Sequence, residues 1–151
     1  MTAERQKGEA MEIFKKPGES AVKRLLSDAE LPTADLSPGH MEHFFGCGAP
    51  EHVRGVIGLE LYGPVALLRS LAVESSVRGR GVGKRLVAHA EDYARECGVG
   101  AIFLLTTTAE SFFRRLGYEG IARDTVPEAI KKTREYAGIC PASSAVMSKR
   151  L

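Results

Sequence analysis

Leu71-Ala-Val-Glu-Ser-Ser-Val-Arg-Gly-Arg-Gly-Val-Gly-Lys-Arg85 is the stretch that decides how this chain folds. An apolar strand ending at Val73 runs through a short polar link into Arg78-Gly79-Arg80-Gly81-Val82-Gly83, and a helix with an apolar stripe follows at once. Glycines at alternate positions of a strand-to-helix junction remove side chains where backbone N–H groups must face something. The first helical turn leaves its N–H groups without intrahelical partners, and the macrodipole makes that end positive. The junction therefore reads as an anion site, for a phosphate or pyrophosphate. An arginine-glycine surface loop or an RNA-contacting segment would share the composition. Neither needs the strand before it and the helix after it.

Spacing separates the glycine-loop classes. A Walker A loop needs Gly-x-x-x-x-Gly-Lys and then Ser or Thr; here Gly83-Lys84 meets Arg85, which leaves no hydroxyl for magnesium. The dinucleotide fingerprint Gly-x-Gly-x-x-Gly fails too, because these glycines fall as Gly-x-Gly-x-Gly. What remains is Arg78-x-x-Gly81-x-Gly83. That pattern resembles the coenzyme A pyrophosphate loop of the GNAT superfamily of N-acetyltransferases.

Outward from the loop, the N-terminal side is strand-rich. Ala10–Phe14 reads as a short strand, and Ser20–Ala29 as a helix with Ala21, Val22, Leu25, Leu26 and Ala29 on one face. Pro32 breaks it, Thr33 is a candidate helix cap, and Asp35 falls in a second short helix or a loop. Met41–Cys47, Val53–Tyr62 and Val65–Val73 read as three strands, separated by Gly48 with Pro50 and by Gly63-Pro64. Short turns make them an antiparallel meander.

On the C-terminal side helices and strands alternate. Leu86, Val87, Ala90, Ala94 and Cys97 line one face of a helix from Gly83 to Cys97, with Gly98 as its stop. Ala101–Thr106 is apolar almost throughout, as a strand covered on both faces must be. Thr107-x-x-Glu110 reads as a capping box for a short helix ending at Leu116-Gly117, and Tyr118–Ala122 as the next strand. Thr125-x-x-Glu128, with Pro127 in the first turn, opens a helix to Ala137. Ala145–Lys149 is the last strand.

Composition adds bounds. A chain of 151 residues, 44% hydrophobic and 26% charged, can bury a core as one domain. A net charge of +2 from 21 basic and 19 acidic residues gives no reason to expect nucleic acid or a membrane as partner. No apolar run approaches the roughly 18 residues of a membrane span. The polar start Met1–Gly8 lacks a signal-peptide core, so a cytoplasmic protein is expected, with residues 1–9 disordered. Cys47, Cys97 and Cys140 are odd in number and far apart, which argues against disulfides. Neither they nor His40, His43, His52 and His89 have metal-site spacing, and no metal is expected. Cys97, on the apolar helical face, reads as core.

Element order carries the resemblance further. Strand, one or two helices, three-strand meander, helix, strand, helix and two strands is the order of the GNAT fold, and Ala109-Glu-Ser-Phe-Phe-Arg-Arg-Leu-Gly-Tyr118 is similar to the family's Ala-x-x-Phe-Tyr-x-x-x-Gly-aromatic segment. The resemblance implies one α/β (α+β) N-acetyltransferase domain over residues 10–151. It would have a mixed sheet of six to seven strands, splayed central strands and helices on both faces. Leu31–Leu36, Gly58–Tyr62, Ala66–Val73, Leu105–Ala109 and Cys140–Ser143 resemble N-acetyltransferases encoded in arsenic-resistance operons. These are relatives of enzymes that acylate amino acids with a phosphinic or arsinic side chain.

The resemblance implies acetyl-CoA as cofactor and a small-molecule amine as acceptor, and leaves a homodimer open. Leu71, Ala72 and Val73 would meet the pantetheine arm, with the Leu71 N–H as oxyanion donor. Arg78, Gly79, Arg80, Gly81, Val82, Gly83 and Lys84 would hold the pyrophosphate, with charge from Arg85 as well, and Phe113 is grouped with the cofactor residues. Phe113 stands where many members carry a tyrosine that protonates the departing thiolate. Either the thiolate leaves without a protein acid, or Ser143, Thr106 or Tyr136 serves; Tyr118 reads as core.

The remaining assignments take residues that would frame the open side of the splay that the resemblance implies. Glu60, between Leu59 and Leu61, is the candidate general base, unless its face meets solvent. Thr33, Asp35, Arg69, Ser70, Thr106, Thr107 and Arg134 are the polar groups expected around the acceptor. Arg69 interrupts an apolar strand, where it can hold an anionic acceptor or pair with Glu60 across the hairpin. A catalytically weak acyl-CoA-binding or regulatory module, and a protein or peptide acetyltransferase, are the alternative functions.

Overall fold

The computed structural model describes residues 12–139 and 143–151. The expected lead-in 1–9, the start of the strand expected from Ala10, and Cys140 lie outside them. The elements are β1 (Ile13–Lys15), α1 (Glu19–Asp28), a 3-10 turn (Pro38–His43), β2 (Phe44–Ala49), β3 (His52–Tyr62) and β4 (Val65–Val73). Then follow a 3-10 turn (Ser75–Val77), α2 (Val82–Glu96), β5 (Ala101–Thr106), α3 (Glu110–Arg115) and β6 (Glu119–Gly120). A 3-10 turn (Arg123–Thr125), α4 (Glu128–Lys131), a π turn (Glu135–Ile139) and β7 (Ala145–Arg150) complete the chain. The strands form one seven-stranded mixed sheet in the order β1-β2-β3-β4-β5-β7-β6. That is the expected α/β architecture.

Two compact units share the strands β3 and β4 and the helix α2: one runs up to Gly58 and takes in Ser70–Ala90, the other comprises Leu59–Arg69 and Glu91–Leu151. In the first unit β2 pairs antiparallel with both β1 and β3, with a register shift at Cys47/Gly48. Val22, Leu25 and Leu26 of α1 bury against Phe44, Val53, Val56 and Ala72. Gly55 lets α2 approach the sheet: a Cβ there would lie 2.7 Å from Cys47 Sγ and 3.2 Å from Leu86 Cδ1. The strand expected from Met41 begins only at Phe44. Met41 belongs instead to a 3-10 turn, started by Pro38 and by a reciprocal cap between Ser37 and His40 Nδ1.

In the second unit β5 runs parallel to β4 over Val65↔Ala101, Ala66↔Ile102 and Leu67↔Phe103, and antiparallel to β7 from Ala101↔Arg150 to Thr106↔Ala145. The parallel ladder between β4 and β5 comprises those three pairs. Leu67, Phe103, Val126, Ile130 and Val146 form the core of this unit, with Tyr62, Val65 and Tyr136 packed on it.

Four expectations are corrected here. Cys97 is exposed, because α2 ends before it. Gly98 takes φ +86° and donates to Arg95 O, Val99 donates to Ala94 O, and Val99 fills the core position instead. The capping box at Thr107 does not form. The hydroxyl used is that of Thr106, which accepts the Ala109 N–H at 3.0 Å. The strand expected over Tyr118–Ala122 shrinks to Glu119–Gly120. The helix expected from Thr125 to Ala137 is broken: Thr133 Oγ1 donates to Ile130 O at 2.7 Å and accepts the Tyr136 N–H, so a side chain competes with the ladder and a π turn follows.

Candidate active site

The glycine loop begins where β4 ends. Glu74 donates its N–H to Arg54 O at 2.7 Å, and its carboxylate accepts from the Ser76 hydroxyl and faces His52 Nε2 at 3.3 Å. The Ser76 hydroxyl foremost holds the Glu74 carboxyl below its ordinary value; burial opposes it, and His52 adds a smaller lowering effect. Arg78, expected among the phosphate-binding side chains, turns its Nε to Val73 O at 3.0 Å and ties the loop to the strand.

Gly79 and Gly81 carry φ +82° and +76°, and a Cβ built on either would meet nothing within 4 Å. Both therefore need glycine for conformation, and both leave the backbone open to a ligand. The first intrahelical bond of α2 runs from Arg85 N–H to Gly81 O, so the N–H groups of Val82, Gly83 and Lys84 are left to other acceptors. Arg80, Lys84 and Arg85 are exposed around them. A pyrophosphate fits this cradle: open left-handed backbone, a helix N-terminus and three cations.

Ser70, within β4, has φ +63°. A non-glycine residue held there costs on the order of 1–3 kcal/mol and breaks the regular alternation of the strand just before Leu71, Ala72 and Val73. Thr33 and Asp35 stand in the link after α1, where Leu36 donates to Thr33 O and Asp35 is buried.

A charged cluster lies in the second unit. Arg69 is buried, with Nη1 on Glu60 Oε2 at 2.7 Å and Nε 3.8 Å from Glu135 Oε1. Tyr62 donates its hydroxyl to the other oxygen of Glu60. Glu60 and Tyr62 point the same way because alternate residues of a strand share a face. Glu135 comes from the π turn.

Thr107, Arg134 and Ser143 are exposed. Thr106 is engaged with Ala109, and the Tyr136 hydroxyl donates to Arg123 O at 2.8 Å. Phe113 is buried, its ring 5.5 Å from that of Tyr118 at 72°. This contact closes the end of α3: Gly117 takes φ +97° and donates to Arg114 O, and Tyr118 donates to Phe113 O. The aromatic pair is the hydrophobic clasp of a Schellman motif. Tyr118 lies in the core as expected, with burial first and Glu91 second pushing its phenol far above the ordinary range.

Tyr62 and Glu135 are not among the residues expected at the site. Tyr62 is two residues from Glu60, so strand alternation already pointed to it. Glu135 had no such signal, since its place depends on the break after α4.

Comparison with known proteins follows the same lines. The pattern of the Acetyltransferase (GNAT) family matches residues 9–118. The chain is 36% identical over 92 residues to an uncharacterized N-acetyltransferase of Chlorobaculum tepidum, covering 60% of this chain and 59% of that one. It is 36% identical over 62 residues to an amino-acid acetyltransferase of Neisseria meningitidis, covering 41% of this chain but 14% of that protein. It thus spans only part of the curated relatives that it matches. In fold it is similar to N-acetylglutamate synthase from Neisseria gonorrhoeae complexed with coenzyme A and L-arginine (TM-score 0.79, 23% identity, 95% of this chain and 34% of that one). A second similar structure is Rv2747 from Mycobacterium tuberculosis in complex with CoA and NLQ (TM-score 0.74, 18% identity, 93% and 99% covered).

Proposed function

Because the chain belongs to the Acetyltransferase (GNAT) family, we propose that it transfers an acetyl group from acetyl-CoA to the amino group of a small molecule. The observation that carries this reading is the open cradle of Gly79 and Gly81 at the start of α2. Arg80, Lys84 and Arg85 add charge to the pyrophosphate site, and the strained Ser70 precedes the Leu71 N–H assigned to the oxyanion. Acetyl-CoA supplies the acyl group as a thioester. The acceptor enters as an ammonium, and Glu60 takes its proton, so that a neutral amine attacks. Phe113 cannot donate and the Tyr136 hydroxyl donates to Arg123 O, so the thiolate either leaves without a protein acid or takes its proton from Thr106 or Ser143.

Within that reading the acceptor is an amino acid, the class named in the relatives from Neisseria, and the narrower candidates bear an arsinic or phosphinic side chain. Thiol release from acetyl-CoA tests this against amino acids, their arsinic and phosphinic analogues, and amines without a carboxylate. Release with amino acids supports the class, and preference for the analogues supports the narrower acceptor. Release with none of them favours the second reading, an acyl-CoA-binding module, which the buried Phe113 in the tyrosine position supports. No helix among the described residues is long and apolar enough to cross a bilayer.

A further inference from the structure

The two oxygens of the Glu60 carboxylate are held by different donors from different strands. Arg69 of β4 takes Oε2 at 2.7 Å, and Tyr62 of β3 takes Oε1. A carboxylate bonded through one oxygen can still rotate about its terminal torsion, which is broad and soft. Bonds to both oxygens fix its plane. Neither donor is itself loose. Arg69 is buried with its Nε facing Glu135, and the Tyr62 ring packs against the core of Leu67, Phe103, Val126, Ile130 and Val146.

Burial of the tyrosine ring alone would not require a hydroxyl, because phenylalanine fills the same volume. The hydroxyl is explained by what it bonds. We propose that Tyr62 is a positioning residue of the acetyl-transfer site, which together with Arg69 holds Glu60 in the one orientation that receives the proton of the acceptor amine. The inference rests on the reading above, in which Glu60 is the proton acceptor. Proton transfer demands hydrogen-bond distance and alignment, and displacement of about 1 Å can cost up to roughly 100-fold in rate. Tyr62 acts through Glu60, not on the acceptor or the thioester.

The experiment is a kinetic cycle with Tyr62→Phe, Glu60→Gln and the double variant, read as thiol release with the best acceptor of the amine screen. Tyr62→Phe should lower kcat about tenfold, a part of that misplacement scale, and leave KM for acetyl-CoA unchanged. In the Glu60→Gln background the same change should have no further effect on kcat, because the group it orients is gone. An equal loss in both backgrounds would overturn the proposal, and so would a Tyr62→Phe variant with wild-type kcat. If Glu60→Gln itself keeps wild-type kcat, the assignment of Glu60 fails and takes the positioning role with it, whereas acetyl transfer stands. Thermal unfolding of each variant separates these outcomes from a loss of folded protein. Should Tyr62→Phe unfold, Tyr62→His, which retains a ring and a donor, is read in its place and should recover part of kcat.

Discussion

Tyr118 donates its hydroxyl to Glu91 Oε2 at 2.9 Å, and Lys149 Nζ reaches both oxygens of the same carboxylate, at 3.1 and 3.0 Å, and Leu116 O at 2.9 Å. One buried carboxylate thus ties α2, the end of α3 and β7 together. The tyrosine nearest in sequence to the position of the missing general acid is therefore committed to structure. Tyr118→Phe should keep most of the acetyl-transfer activity and lower stability by about 1–2 kcal/mol, the cost of a hydrogen bond lost from a charged, buried acceptor. A fall in kcat of ~100-fold at normal stability, the scale of a lost acid catalyst, would contradict this.

The same contact predicts a pH dependence. Burial and the Glu91 charge raise the Tyr118 phenol above its ordinary value of 10. In the unfolded chain the phenol ionises near that value, while the folded protein keeps the proton to higher pH. Above it the folded state binds more protons than the unfolded one, so stability falls as pH rises, and below it this contribution is constant. Chemical denaturation of wild type should show extra loss above pH ~10, relative to Tyr118→Phe. Parallel profiles for the two proteins through that range would refute it.

The sequence was legible where geometry is set locally. Val65–Val73 and Ala101–Thr106 match β4 and β5 because their apolar runs are bounded by turn residues, and Gly63 at φ +68° confirms the turn between β3 and β4. It was illegible where a side chain takes over a backbone bond. Thr106 rather than Thr107 accepts a backbone N–H there, that of the N-cap Ala109, and Thr133 broke a helix that periodicity alone continued. Gly98 and Gly117 were readable as helix stops, and so was the burial of Tyr118, yet that Val99 and not Cys97 is buried after α2 depends on tertiary packing. The glycine loop was legible for a simpler reason: positive φ at Gly79 and Gly81 can be inferred from residue type.

Gly81 is the sharpest test of the cradle. Valine there would have to adopt φ +76°, or shift the backbone whose N–H groups face the ligand. Gly81→Val should weaken acetyl-CoA binding by at least ~2 kcal/mol, from lost charge-assisted hydrogen bonds. Gly83, the second residue of α2, makes Gly83→Val a companion that crowds the helix N-terminus instead. Titration calorimetry that gave wild-type affinity in a folded Gly81→Val protein would remove the cofactor assignment.

Arg69 faces two carboxylates, Glu60 at 2.7 Å and Glu135 at 3.8 Å, with its side chain 0% exposed. Such an arginine is set to balance and orient acids. An acceptor carboxylate would have to compete with both for it. Arg69→Ala would leave the two glutamates together without the guanidinium, and removal of one member of a buried ion pair costs about 3–5 kcal/mol. We expect Arg69→Ala to lose stability on that scale. Arg69→Lys keeps the charge but not the planar fork, and should fold better while kcat stays low, because a lysine cannot reproduce the bond to Glu60 together with the contact to Glu135. KM for an anionic acceptor should change little in the lysine variant. A stable Arg69→Ala protein whose only defect is a raised KM for anionic acceptors would show the opposite: that Arg69 binds the substrate directly and that its pairing with Glu60 is dispensable.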